Sequence, residues 1–198
     1  PVITDPAIHL PPHCRIDLYS YSSSRIHVSF ESILHNSIFD DPAFRLLDMR
    51  IAYIGDGESV HNHFMVDWFL RKGHEVLFLT DTPEHFPFPQ VQQSIAPRHG
   101  GGPFRHLYAA FRTRQLIRRW KPDIVHAHNV TGYGYWGAFS GFSPLVMTTW
   151  GSDLLIHSRQ NAFIRWLISY CLRKADLITG DAEDLCQLAR MLSGGRVE

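Results

Sequence analysis

Cysteine is scarce and poorly spaced for any joint role, since the chain has only Cys14, Cys171 and Cys186. An odd count without a Cys-x-x-Cys pair excludes a disulfide framework and a zinc knuckle, and it fits a reducing compartment. Long apolar runs are lacking too. The greasiest stretch, Ala162 to Leu172, contains Arg165 and is followed by Arg173 and Lys174, so no run of about 18 apolar residues offers a membrane span. The first residues show no basic start, apolar middle and small-residue cleavage site, and a cytoplasmic protein is expected. A surplus of charge is also missing, with 19 Lys and Arg against 19 Asp and Glu. Nucleic-acid binding, which depends on a positive footprint, is not expected.

What is present is enough for a core: 198 residues, 44% of them hydrophobic, suit one ordinary domain with an appendage. The appendage is residues 1–48. It holds Pro6, Pro11, Pro12, Pro42 and the run Ser22-Ser23-Ser24 without sustained periodicity, and it is expected to be a poorly ordered extension or a non-native gene start. Met49 to Gly55 reads as the natural opening of the domain over 49–198. From Arg50 onward short β-branched runs alternate with helical spacings, the pattern of βα units around a parallel sheet. Strands are predicted at Arg50–Ile54, Glu75–Thr80, Ile124–Ala127, Leu145–Thr149 and Leu177–Thr179. Helices are predicted at His61–Lys72, Phe104–Trp120, Asn161–Lys174 and Ala182–Leu192, with Gly73 stopping the first. The fold class is therefore α/β, a Rossmann-like parallel sheet with helices on both faces. One connection, Asp81 to Pro103, is long for a compact domain and carries five prolines and Gly100-Gly101-Gly102, which marks it as functional or disordered.

In an open parallel sheet ligands bind outside the carboxyl ends of the strands. The residues there are small or polar: Gly55-Asp56-Gly57 after the first strand, His126-Ala127-His128-Asn129 at the third, Trp150-Gly151-Ser152-Asp153 after the fourth, Gly180-Asp181 after the fifth. Gly55 and Gly57 either make an ordinary strand-to-helix turn or bring main-chain amides close to an anion at a helix N-terminus. They do not complete the dinucleotide fingerprint, because Val60 stands where its third glycine belongs. His126 and His128 share one strand face. His126 reads as a buried structural residue and His128, nearer the tip, as the functional one. No Cys, Asp or Glu stands beside them at ligand spacing, so no metal is expected. Ser152 or Asp153 can cap a turn, and the Trp150 to Asp153 run can also form a hydroxyl-binding shelf with Asp153 as acceptor. Asn129 and Asp181 join these as candidate substrate-binding residues.

The segment from Gln90 to Pro122 contains no acid but has seven Arg and Lys. Phe104, Leu107, Tyr108, Phe111 and Ile117 are expected to form the apolar stripe of an amphipathic helix over 104–120. That helix is either a solvated basic face packed on the core or a peripheral contact with the inner face of a membrane or a phosphorylated acceptor.

Taken in order, several passages resemble the N-terminal domain of retaining family 4 glycosyltransferases. They are Met49 to Gly57, Trp68-Phe69-Leu70-Arg71-Lys72-Gly73-His74-Glu75-Val76, Lys121-Pro122-Asp123-Ile124-Val125-His126-Ala127-His128, Thr149 to Asp153, and Arg173 to Thr179. The resemblance covers 49–195. It implies the acceptor-side half of a GT-B fold, and a nucleotide sugar as co-substrate held mainly by a second domain. It also implies a glycan, lipid-linked or small-molecule acceptor and no bound metal or other cofactor. By position, Gly55 and Gly57 would lie near the donor phosphates and acceptor, His128 would touch the transferred sugar as the catalytic residue, and Gly151 to Asp153 would line the acceptor. The family's paired donor-binding glutamates are not found, since no two glutamates here stand eight apart. The donor half is expected to be missing and the chain inactive alone, with Gly194 to Glu198 reading as the approach to another strand. Two other classes stay open: an NAD(P)-type Rossmann oxidoreductase, and a non-catalytic domain that binds a membrane or partner through the basic helix.

Overall fold

Six parallel strands form the centre of the protein in a computed structural model that describes residues 48–83, 86–96 and 102–195. The expected extension over 1–48 lies outside these residues except for Asp48. The strands are β1 (Arg50–Ile54), β2 (Glu75–Thr80), β3 (Gln92–Ser94), β4 (Ile124–His128), β5 (Leu145–Thr148) and β6 (Leu177–Thr179). Their spatial order is β3-β2-β1-β4-β5-β6. The chain thus runs outward in one direction from β1 and later in the other from β4, which makes the gap between their tips the switch point where such sheets bind ligands. Register carries the tips to one rim: Ile54 pairs with Leu79 and Ala127, and His128 pairs with Thr148, which pairs with Thr179.

The helices are α1 (Val60–Arg71), α2 (Gly102–Trp120), α3 (Tyr133–Ser140), α4 (Ser152–Leu155), α5 (Ala162–Lys174) and α6 (Glu183–Ser193). Alternation along the strands sorts them between two faces. Ala52, Ile54, Val125 and Met147 join one cluster with Ile117 of α2, Trp136 of α3, Ile168 of α5 and Leu192 of α6. Tyr53, Val76 and Phe78 point the other way, against Val66 of α1 and Phe86. Each large side chain removed fully from water contributes about 1.5–3 kcal/mol. Local signals end the helices where the sequence placed them. Asn161 caps α5 by accepting from the Ile164 N–H at 2.9 Å, while Gly73 (φ +90°) and Gly194 (φ +75°) turn the chain after α1 and α6.

Two aspartates set the register at the far edge of the sheet. The Arg50 N–H donates to Asp123 Oδ2 at 2.8 Å, and the Asp123 N–H donates to the Arg50 carbonyl at 2.8 Å. Asp176 repeats the device with Leu145, at 2.7 and 2.8 Å. Each closes a two-bond ring between strand starts, one joining β1 to β4 and the other β5 to β6.

Three elements differ from expectation. β3 lies within the proline-rich connection, where three polar residues carry no strand pattern and pairing with Phe78 to Thr80 alone makes them extended. α3 was not expected; glycine is poor in helices, but Gly134 and Gly137 are needed here for close approach, since a Cβ on Gly134 would lie 2.7 Å from the Asn129 carbonyl oxygen and one on Gly137 2.9 Å from Ala127 Cβ. The stripe expected on α2 divides between two faces. Ile117 is buried with Ala109 and Thr113, whereas Phe104, Leu107, Tyr108 and Phe111 are exposed.

Gly137→Ala is expected to destabilise the protein by about 1–2 kcal/mol, because overpacking against β4 outweighs the helix-propensity gain of about 1 kcal/mol. A urea midpoint equal to or above that of the unmodified protein would show that α3 can move off the sheet at no cost.

Candidate active site

His128 closes β4, and its imidazole is held from below by one amide. Asn62, fully enclosed on the first turns of α1, donates from Nδ2 to the Asp56 carbonyl at 2.8 Å, which fixes the orientation of its carboxamide. Its Oδ1 then accepts from the Tyr53 hydroxyl at 2.9 Å and from His128 Nδ1. Because an amide oxygen only accepts, the His128 proton sits on Nδ1 and Nε2 is left as an acceptor. Burial, reinforced by His126 and His61 nearby, pushes the His128 pKa down to about 3. The ring is neutral at pH 7 and keeps 5% of its surface open.

His126 sits one pleat deeper on the same face. Its Nε2 bonds Thr148 Oγ1 at 2.7 Å, and that hydroxyl meets Thr179 Oγ1 at 2.8 Å, a chain running across β4, β5 and β6. Burial lowers its pKa to about 4. Its burial is as expected.

The turn after β5 comes directly over His128. The Trp150 ring meets His128 edge-on at 4.9 Å between centroids and His61 at 5.0 Å. Gly151 has φ +83°, a conformation that selects glycine. Ser152 is exposed. Asp153 has no exposed surface: its Oδ2 accepts from the Val130 N–H at 2.9 Å, and its Oδ1 from the N–H groups of Trp150 and Leu154 at 3.1 and 2.9 Å. A ligand hydroxyl cannot reach a carboxylate so occupied. The expectation that Asp153 accepts from ligand is corrected on this ground: it ties the β4 loop to the β5 turn and so fixes where Trp150 stands.

The first loop is also committed inward. The Gly55 N–H donates to the Leu79 carbonyl at 3.1 Å, and the Gly57 N–H to Thr82 Oγ1 at 2.8 Å and Thr80 Oγ1 at 3.0 Å. A Cβ on Gly57 would lie 2.0 Å from the Thr82 carbonyl oxygen, and one on Gly55 2.7 Å from Asn62 Nδ2. What the two glycines contribute is closeness, against β2 and around Asn62, rather than amides aimed at an anion.

Asn129 turns the chain out of β4 at φ +82°, and its side-chain oxygen accepts from both the N–H and the hydroxyl of Thr131. Asp181 is exposed beyond the end of β6, the outer strand, and no hydrogen bond or ring contact joins it to the His128 group among the described residues. The structure therefore brings together His128, Trp150 and the first loop, sets Asn129 next to them in the chain, and leaves Asp181 apart. Sequence reasoning missed Asn62 and His61. An Asn in a helix carries no local signal, and only its place one turn beyond a glycine loop could have drawn attention to it. Among the described residues no group of three or more His, Cys, Asp or Glu is arranged to hold a metal ion. None of their helices is long and apolar enough to cross a membrane.

A family model described as Glycosyl transferase 4-like matches residues 50–182. No curated protein matches. Among solved structures the chain is similar to a Listeria monocytogenes protein assigned as UDP-N-acetylglucosamine 2-epimerase, with 13% identity and a TM-score of 0.51. That match takes in 76% of this chain and 43% of the other. At such identity the likeness concerns the fold.

Two imidazoles with lowered pKa values make stability depend on pH with a definite sign. Unfolded histidines take up protons near pH 6.5, whereas folded His126 and His128 resist until about 4 and 3. Their contribution is complete above about 6.5 and is lost as pH falls towards those lower values. Denaturant unfolding should show stability falling between pH 6.5 and 4, with a shallower fall in a His126→Gln, His128→Asn variant. Parallel profiles would show that the two rings are not buried in neutral form.

Proposed function

Since the chain belongs to the glycosyl transferase 4-like family, we propose that it is the acceptor-side half of a retaining, GT-B-type glycosyltransferase. A nucleotide-sugar donor is held mainly by a companion domain, and the acceptor is a glycan, a lipid-linked sugar or a small molecule. The chain by itself is inactive.

One observation carries this reading: a neutral, fixed imidazole stands at the switch point of the sheet with the Trp150 ring nearly perpendicular to it, 4.9 Å away between centroids. The transferred sugar donates a hydroxyl to His128 Nε2, and Trp150 walls the same crevice. The N-terminal end of α1, which the close-packed Gly55 to Gly57 loop delivers to the rim, faces the donor diphosphate with its positive pole. In the reaction the bond from the anomeric carbon to the diphosphate breaks, with the electron pair leaving on oxygen. The acceptor oxygen bonds to the same face of that carbon, and the acceptor's proton passes to the departing phosphate. The protein's part is to hold dipoles where charge develops, a contribution that needs no metal. Asn129 and the Gly151–Ser152 backbone border the acceptor side, Asp153 holds that border in place, and Asp181 meets ligand or companion domain at the outer strand.

The test is turnover of nucleotide sugars by the chain together with its companion domain. His128→Ala is expected to lower kcat roughly a hundredfold, the scale of losing one positioned polar contact, in a variant whose circular dichroism and thermal midpoint show it folded at the assay temperature. Product NMR should show the donor's anomeric configuration. Unchanged turnover in the variant removes His128 from the site, an inverted product removes the retaining assignment, and saturable nicotinamide binding with hydride transfer replaces the reading by the oxidoreductase one.

A further inference from the structure

α2, α3 and α5 form one layer on the sheet face opposite α1. They send Ile117, Trp136 and Ile168 into a common core, and they touch side by side. His106 of α2 meets Trp136 at 6.0 Å between ring centroids, and Phe139 of α3 stacks on Tyr170 of α5 at 5.4 Å. The Arg114 guanidinium lies 3.1 Å from where a Cβ on Gly141 would stand, at the end of α3.

The outer surface of that layer is unusual in two independent respects. It is apolar at its crest. Leu107 and Phe111 on α2 are 69% and 66% exposed, and Phe163 and Trp166 on α5 are 65% and 55% exposed. Phe163, Trp166, Tyr170 and Phe139 run as a row of rings 5.4 to 6.0 Å apart. Its helices are also basic only: the three contain no Asp or Glu, but they carry five arginines on α2 and Arg165, Arg173 and Lys174 on α5. In a chain with equal numbers of acids and bases, this is a strong segregation. Arg105 is bound by Asp81, whereas Arg118 and Arg119 are exposed. With Phe111, Arg114 and Gln115 they line an open depression. The Lys174 ammonium lies 5.7 Å above the Tyr170 ring.

We propose that this three-helix face rests on an anionic lipid bilayer, with its aromatic and leucine crest in the interfacial region and lipid phosphates among the arginines. The combination selects the partner. Exposed apolar side chains gain only where hydrocarbon is available, and a surrounding ring of basic side chains gains only where the headgroups are negative. A nucleic acid would engage the arginines but leave Leu107, Phe111 and Phe163 in water. His128 projects from the other face of the sheet, with Tyr53, so docking leaves the crevice uncovered.

The experiment uses the purified chain and sedimentation with phosphatidylcholine vesicles, with and without phosphatidylglycerol. Binding is expected only to the anionic vesicles, accompanied by a blue shift of tryptophan emission. It should fall at least about tenfold in two separate variants, Leu107→Ser with Phe111→Ser and Arg118→Glu with Arg119→Glu, because each loses one of the two required contributions. Both pairs are on the surface, and circular dichroism checks that they fold. Equal binding to neutral vesicles overturns the charge requirement. Binding that the serine pair leaves intact overturns the apolar one. Absence of vesicle binding, with self-association or capture of an RNA in its place, overturns the proposal as a whole.

Discussion

β1 lies between β2 and β4, parallel to both, and this placement governs most of the remaining architecture. A parallel neighbour can be reached only by a crossover, and right-handed crossovers leaving β1 in one direction and β4 in the other must cover opposite faces. α1 therefore packs on one side, and α2, α3 and α5 on the other. The polar residues that end the strands are collected at the tips of β1 and β4 by topology alone.

Asn62 gives that rim a defined geometry. A carboxamide has one oxygen and one nitrogen to commit, and all of its contacts here are between elements: the first loop, β1 and β4. Because its nitrogen is satisfied by a carbonyl, its oxygen must take the Tyr53 hydroxyl and the His128 N–H together. The same bond that anchors α1 thus chooses the imidazole tautomer. Gly55 belongs to this arrangement, since a larger residue would occupy the space the amide needs.

Five of the strands and four of the helices were legible in the sequence because the signals for them are local: β-branched runs, Gly73 after α1, Asn161 before α5. The rim was legible as well, since strand ends can be picked out once strands are assigned. The division of labour within each motif was not. In Lys121 to His128 the aspartate and the histidines look equally functional, but Asp123 is a register clamp at one edge of the sheet and His128 stands at the other. Asp153 looks like a ligand acceptor until the three main-chain amides that converge on it are seen, and those amides come from segments more than twenty residues apart as well as from neighbours. α3 stayed hidden because glycine is poor in helices on average, and no local rule registers that Ala127 lies directly beneath Gly137. β3 stayed hidden because its only reason for being extended is the strand beside it.

An imidazole whose Nδ1 hydrogen is spent on Asn62, and whose second protonation burial suppresses, can receive a hydrogen bond but has none to give on its open side. His128 therefore has no proton to give at Nε2 near neutral pH. In the reaction proposed above, the proton that the departing phosphate takes up must come with the ligands or from the companion domain.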